Sequence, residues 1–210
     1  MDNSTDTTGW TTNASTPHMQ ICNSQNVYGG SPNFAAGAYA EKTYTGLLPH
    51  YQATVKVRFF FIDTWDSEIM YIKVDGAEIF SREYNGASAV TNYCGISNQK
   101  DTISELTTNA FTHTAENLTL TITTNLDEDN EAFAFNNLQI IIDLCDPACS
   151  ACTGPSNTNC SSCNSGWYLE GTTCNTTCSL PGKYANSTTN KCEGIKQDSL
   201  SWINLFNYSM

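Results

Sequence analysis

Across 210 residues the chain carries 9 Lys+Arg against 21 Asp+Glu, a formal net charge of −12. The few cations are scattered along the chain, which excludes a nucleic-acid binder, because neutralising phosphate takes clustered Lys and Arg. Only 14% of residues are charged while 40% are hydrophobic, so the polarity is that of Ser, Thr and Asn, and the apolar content suffices for one sizeable core with a small second unit.

Residues 1–20 form a polar arm whose one large apolar side chain is Trp10. Such a segment does not order itself, and the expected holder is a neighbouring subunit. Met1-Asp2-Asn3-Ser4 offers neither a basic stretch nor an apolar one, so for a secreted protein the sequence reads as a mature or reconstructed form.

From Tyr28 to Asp143 the pattern is β. Ala38 to Thr45 supplies one strand. Ala53, Val55, Val57, Phe59 and Phe61 alternate with Thr54, Lys56, Arg58, Phe60 and Ile62, a strand with one buried face and a second that becomes buried near its end. Ile69 to Val74, then Asp75-Gly76, then Ala77 to Phe80 reads as a hairpin, Asp-Gly being a strong two-residue turn signal. Ile103 to Thr112, Leu118 to Thr123 and Phe133 to Asp143 complete the series. About eight short strands without a helical period predict a jelly-roll β-sandwich over 21–144. The Cys-Trp-Cys framework of an immunoglobulin domain is missing. The longest apolar runs, Phe59 to Ile62 and Ile140 to Ile142, fall far below the roughly 18 residues of a membrane span.

Cysteine usage changes abruptly at residue 145. Cys22 and Cys94 stand alone, a candidate bridge within the sandwich, while Cys145, Cys149, Cys152, Cys160, Cys163, Cys174, Cys178 and Cys192 crowd into 145–192. The two Cys-x2-Cys pairs have the look of half-sites for zinc. Their short spacing, their place in a longer series of eight and the sequons around them favour disulfides, and with them an extracellular or cell-surface location.

Cys145-Asp-Pro-Ala-Cys149-Ser-Ala-Cys152, Cys160-Ser-Ser-Cys163 and Gly166-Trp167-Tyr168-Leu169 before Cys174 resemble the furin-like and EGF-like cysteine-rich repeats of extracellular proteins, abundant in surface proteins of ciliates and related protists. That resemblance implies the pairs Cys145–Cys152, Cys149–Cys160, Cys163–Cys174 and Cys178–Cys192. Upstream, Gly46-Leu47-Leu48-Pro49-His50-Tyr51, Phe61-Ile62-Asp63-Thr64-Trp65-Asp66, Val74-Asp75-Gly76 and Asp129-Asn130-Glu131-Ala132-Phe133 are similar to protist jelly-roll domains that precede such repeats, with Ala134 here where those domains tend to carry Gly.

Carboxylates gather at Asp63, Asp66 and Glu68 and again at Asp127, Glu128, Asp129 and Glu131. Hard oxygen ligands so spaced are candidates for calcium, of which Asp63, Asp66, Asp127, Asp129 and Glu131 are singled out; an EF-hand loop is excluded because the glycine of its turn is absent. Sequons at Asn3, Asn13, Asn117, Asn175, Asn186 and Asn207 number little more than chance gives, but suit N-linked glycans in an oxidising compartment. His18, His50 and His113 sit in no catalytic motif, and no enzyme is expected.

The segment 193–210 turns apolar again, with Trp202, Ile203, Leu205 and Phe206. Exposed on a monomer it is an aggregation hazard, so the expected use is docking onto another subunit. The leading expectation is therefore an extracellular structural subunit, a homo-oligomer or helical filament built head to tail. The alternative is a carbohydrate-binding, lectin-like surface module in which Trp65 or Tyr71 stacks on a sugar.

Overall fold

The computed structural model describes residues 7–14 and 19–195. The chain forms two compact units that divide between Leu144 and Cys145. Among the described residues of the first unit are the strands β1 Trp10–Thr12, β2 Met19–Cys22, β3 Gln25–Gly29, β4 Tyr39–Tyr44, β5 His50–Asp63, β6 Asp66–Val74, β7 Ala77–Asn85, β8 Thr102–Thr107, β9 Phe111–Thr112, β10 Leu118–Thr124 and β11 Glu131–Leu144. They build a jelly-roll β-sandwich. One sheet runs β1-β4-β10-β6-β7 and the other β2-β3-β11-β5-β8, with β9 added on β5.

Period-two patterning places the core. Ala40, Leu118, Leu120, Ile122, Met70, Ile72 and Val74 point inward from the first sheet onto Val55, Val57, Phe59, Phe61, Phe133 and Phe135 of the second. Phe60 and Ile62 face the other way, into a smaller cluster with Cys22, Val27, Ala132 and Ala134. The far end of β5 is thus buried on both faces, which is why its alternation fades there. The β6–β7 turn has Asp75 at φ +51° and Gly76 at φ +80°, the paired left-handed conformation that matches strand twist.

Two expectations need correction. The run Ile103 to Thr112 is two strands, not one. Thr108 interrupts it, its amide donating to the Val55 carbonyl and its hydroxyl accepting from the Val55 amide. The polar arm is also not all arm. Trp10–Thr12 pairs antiparallel with β4, and the Trp10 ring lies 5.5 Å from Tyr28 and 5.1 Å from Phe135, so this stretch is ordered on the chain's own sheet. The docking residues Trp202, Ile203, Leu205 and Phe206, and the sequons at Asn3 and Asn207, lie outside the described residues.

The second unit holds β12 Cys149–Cys152, β13 Cys160–Cys163, β14 Tyr168–Glu170, β15 Thr173–Asn175, β16 Lys183–Asn186 and β17 Lys191–Gly194. β12 pairs β13, and a small sheet runs β15-β14-β17-β16. Among its described residues the buried apolar ones are Ala148 and seven of its eight cysteines. The bridges join Cys145 to Cys152, Cys149 to Cys160, Cys163 to Cys174 and Cys178 to Cys192, the same pairs the resemblance implies. Cys22 joins Cys94, and no cysteine is free. Although the sulfurs of Cys149, Cys160 and Cys174 lie close enough for a common metal, all three are consumed in disulfides, which excludes a thiolate zinc site.

Candidate functional site

Two features of the sandwich carry chemistry: a buried acidic cluster at one end and the outer face of the five-stranded sheet.

Inward phase sets the first. Along β6 the residues on the core face are Glu68, Met70, Ile72 and Val74, and along β11 Glu131 precedes Phe133 and Phe135 in the same phase. Two acids therefore occupy positions that strand geometry directs toward the core, with Asp66 beside them at the sheet end. Carboxylate oxygens of Asp66, Glu68 and Glu131 lie within 4.8 Å of one another. Glu131 is 2% exposed and Glu68 8%.

One Glu68 oxygen accepts from the Asp66 amide at 2.6 Å, whereas Glu131 Oε2 is buried with no hydrogen-bond partner. Burial pushes the Glu131 carboxyl up to about 7; the neighbouring Glu68, Asp127 and Asp66 add to the push, against a backbone hydrogen bond from Glu128.

The donor set fits calcium. Opposed ligands at about 2.4 Å from one ion stand about 4.8 Å apart, hard carboxylate oxygens are what the ion takes, and a cation relieves both the mutual repulsion and the orphaned oxygen. The ligand set differs from that expected. Asp127 and Asp129 are exposed and not part of the convergent group, while Glu68, which local spacing alone did not single out, is.

Asp63 is not part of it either. It ends β5 at φ +69°, and its Oδ1 accepts from the Ile96 amide at 2.8 Å. Asp101 bonds the amides of Asp63, Tyr93 and Cys94, so the two aspartates fasten the Cys94 loop to the end of β5. Burial, with help from Asp101 and against the Ile96 hydrogen bond, pushes Asp63 up to about 6. An open cleft of about 440 Å³ adjoins this end, lined in part by Asp66, Asn85, Gly86, Gln99 and Lys100. Gly86 is needed there because a Cβ would meet the Trp65 carbonyl oxygen at 2.9 Å.

Trp65 offers no stacking surface. It is 1% exposed, its ring packs edge-on against Phe61 at 4.9 Å, and its indole N–H donates to the Ala132 carbonyl at 2.8 Å. Tyr71 is different. It points outward from β6, opposite Thr123 of β10, which lies opposite Tyr39 of β4. Both tyrosines are half-buried and stand two strand spacings, about 10 Å, apart.

The next row outward is Glu41, Thr121 and Lys73. Thr121 Oγ1 donates to Glu41 at 2.9 Å, and the Lys73 ammonium sits 5.8 Å from the Tyr71 ring centre. The face is polar, with two aromatic rings set into it.

Among the sequons, Asn117 is exposed and Asn175 half-buried. The Asn13 amide donates to the Gly37 carbonyl while its oxygen accepts from Tyr39 N–H. That of Asn186 donates to Glu193 and its oxygen accepts from the Thr188 amide. Among the described residues no helix is long and apolar enough to cross a membrane.

No protein-family model matches the chain, and no curated protein matches it in sequence. Solved structures similar to it include the C-terminal CBM6 of LamC, a laminarinase of Zobellia galactanivorans (8% identity, TM-score 0.42, 66% of this chain and 94% of that one). A family 35 carbohydrate-binding module from Clostridium thermocellum is similar at 10% identity and TM-score 0.42, over 67% of this chain and 95% of that one. The carbohydrate-binding module CBM36 in complex with calcium and xylotriose is similar at 13% identity and TM-score 0.35, over 62% and 99%.

Proposed function

We propose that the chain is a non-enzymatic glycan-binding module of the cell exterior, binding on the outer face of its five-stranded sheet and pinned at its acidic end by calcium. The observation that carries this reading is the row Tyr39, Thr123 and Tyr71 on a face bordered by Glu41, Thr121 and Lys73. A pyranose presents an apolar C–H face that packs on an aromatic ring and equatorial hydroxyls that both donate and accept. Two rings about 10 Å apart, with a hydroxyl between them and a carboxylate and an ammonium alongside, suit a linear saccharide lying across the strands.

Calcium, when bound by Asp66, Glu68 and Glu131, supplies charge neutralisation at the end of the sandwich. Five disulfides support an oxidising location. Nothing described favours assembly through the termini, since Trp10 packs within its own sandwich.

The test is glycan-panel binding by the intact chain. Tyr39→Ala and Tyr71→Ala are each expected to weaken a saturable interaction about tenfold, the equivalent of about 1.4 kcal/mol. Absence of binding across a broad panel, or binding unchanged in the double variant, would contradict the proposal. Trp65→Ala is unsuitable as a probe because it empties the core.

A further inference from the structure

At the opposite end of the sandwich two histidines far apart in sequence form a buried chain. His50, 2% exposed, and His113, 7% exposed, are stacked with ring centres 5.0 Å apart. His50 Nδ1 lies 2.7 Å from the Leu48 carbonyl oxygen, His50 Nε2 lies 2.7 Å from His113 Nδ1, and His113 Nε2 lies 3.2 Å from Asp75 Oδ2. The other Asp75 oxygen accepts from the Thr119 amide at 2.9 Å.

Counting protons along this chain gives one answer. Both ends meet groups that only accept, a carbonyl and a carboxylate, so His50 Nδ1 and His113 Nε2 must each carry a proton. The central contact needs one more, shared between His50 Nε2 and His113 Nδ1. Three protons on four ring nitrogens is one beyond two neutral imidazoles. A proton on the half-exposed Asp75 in place of the imidazole is disfavoured, since a carboxylate is far the weaker base. Two neutral rings would leave one contact with lone pairs opposed.

We propose that His50 and His113 together bind a single extra proton, forming a monocation paired with Asp75 that clamps the two sheets at this end of the sandwich. The chain spans both layers. His50 opens β5 of the six-stranded sheet and lies opposite Leu144. Asp75 is the β6–β7 turn of the other sheet and holds Thr119 of β10 by its carboxylate and by its own amide, which donates to the Thr119 carbonyl. Toward this end of the sandwich the titratable and charged groups on the bordering elements are Lys73 on β6, Glu78 on β7, Tyr44 on β4, Tyr51 and Lys56 on β5, Glu116 ahead of β10, Asp143 on β11 and Asp75, the one bonded to the pair. Without the extra proton one of the three contacts is lost and the clamp opens.

Nitrogen-detected NMR of the imidazoles in the intact protein reads this directly, with His18→Gln removing the third histidine's signals. At pH 6 the expected pattern is His113 protonated on both nitrogens and His50 on Nδ1, with one proton released by the pair as pH is raised. Asp75→Asn is expected to weaken that proton's binding about tenfold, and Asp75→Glu to restore it. The protection factor of the Thr119 amide, the intrinsic exchange rate divided by its observed rate at the same pH, should be higher at low pH than at high pH, and that difference should disappear in Asp75→Asn. Two singly protonated rings at pH 6 in the folded wild type would overturn the proposal, as would a proton affinity indifferent to Asp75→Asn.

Discussion

Glu131 decides the character of the acidic end. A carboxyl whose folded-state pKa is raised above its unfolded value favours folding only while protonated. Its contribution is present below the unfolded value near 4.5 and is lost as pH rises through the folded value of about 7. Asp63, raised from 3.8 to about 6, acts in the same direction. The metal-free protein should therefore melt at a lower temperature at pH 8 than at pH 5. Millimolar calcium should raise the melting midpoint at pH 8 far more than at pH 5, since ligand bound only by the folded state adds stability and protons compete for the same oxygens. Glu131→Gln should raise the calcium-free midpoint at pH 8 and abolish most of the calcium response. A midpoint indifferent to calcium at pH 8 would contradict the site.

Trp65→Ala should cost about 3–5 kcal/mol, read by denaturant unfolding, because it empties a fully buried aromatic position and orphans the Ala132 carbonyl. The two buried acids of the cluster, Glu68 and Glu131, were legible in the sequence as residues in inward phase with Met70 and Phe133, a signal that local acid spacing obscured. Trp65 was not legible. Its burial follows from a turn at Asp63 and from a carbonyl on a strand 67 residues away, and neither is visible locally.

Elements divide by how local their causes are. The Asp75-Gly76 hairpin, the alternating strands and the central pair β5 and β11 follow from patterns within each segment, and the sequence predicts them. The break at Thr108 depends on a side chain bonding Val55, 53 residues distant, and the pairing of Trp10–Thr12 with β4 depends on aromatic neighbours from β3 and β11. The histidine chain is likewise assembled across 63 residues, which no motif announces. In the second unit the elements are too short to hold themselves. Closing a loop of 11 residues, as Cys163–Cys174 does, contributes about 3 kcal/mol. Replacing this pair by Ser should abolish amide protection of β13 to β15 while leaving β5 and β11 protected, measured by hydrogen exchange. Loss of protection in both units together would show that they do not fold separately.

On the scale of the whole molecule, a net charge of −12 reflects scarce cations more than a uniformly acidic surface. Its buried acids converge at one end, where a divalent cation suits them, and the sheet face carries Tyr39, Tyr71 and threonines beside one carboxylate, Glu41, and one ammonium, Lys73. Among the described residues of the second unit the buried apolar positions are nearly all bridged cysteines, and such bridges persist where the surroundings are oxidising. The most direct test is calorimetric titration of the intact, calcium-loaded protein with the tightest-binding oligosaccharide of a broad panel, comparing wild type with the Tyr39→Ala, Tyr71→Ala double variant. Saturable binding in the wild type that falls about a hundredfold in an equally stable double variant is the predicted result. Equal affinity in the two proteins, or no saturable binding by the wild type, would contradict it.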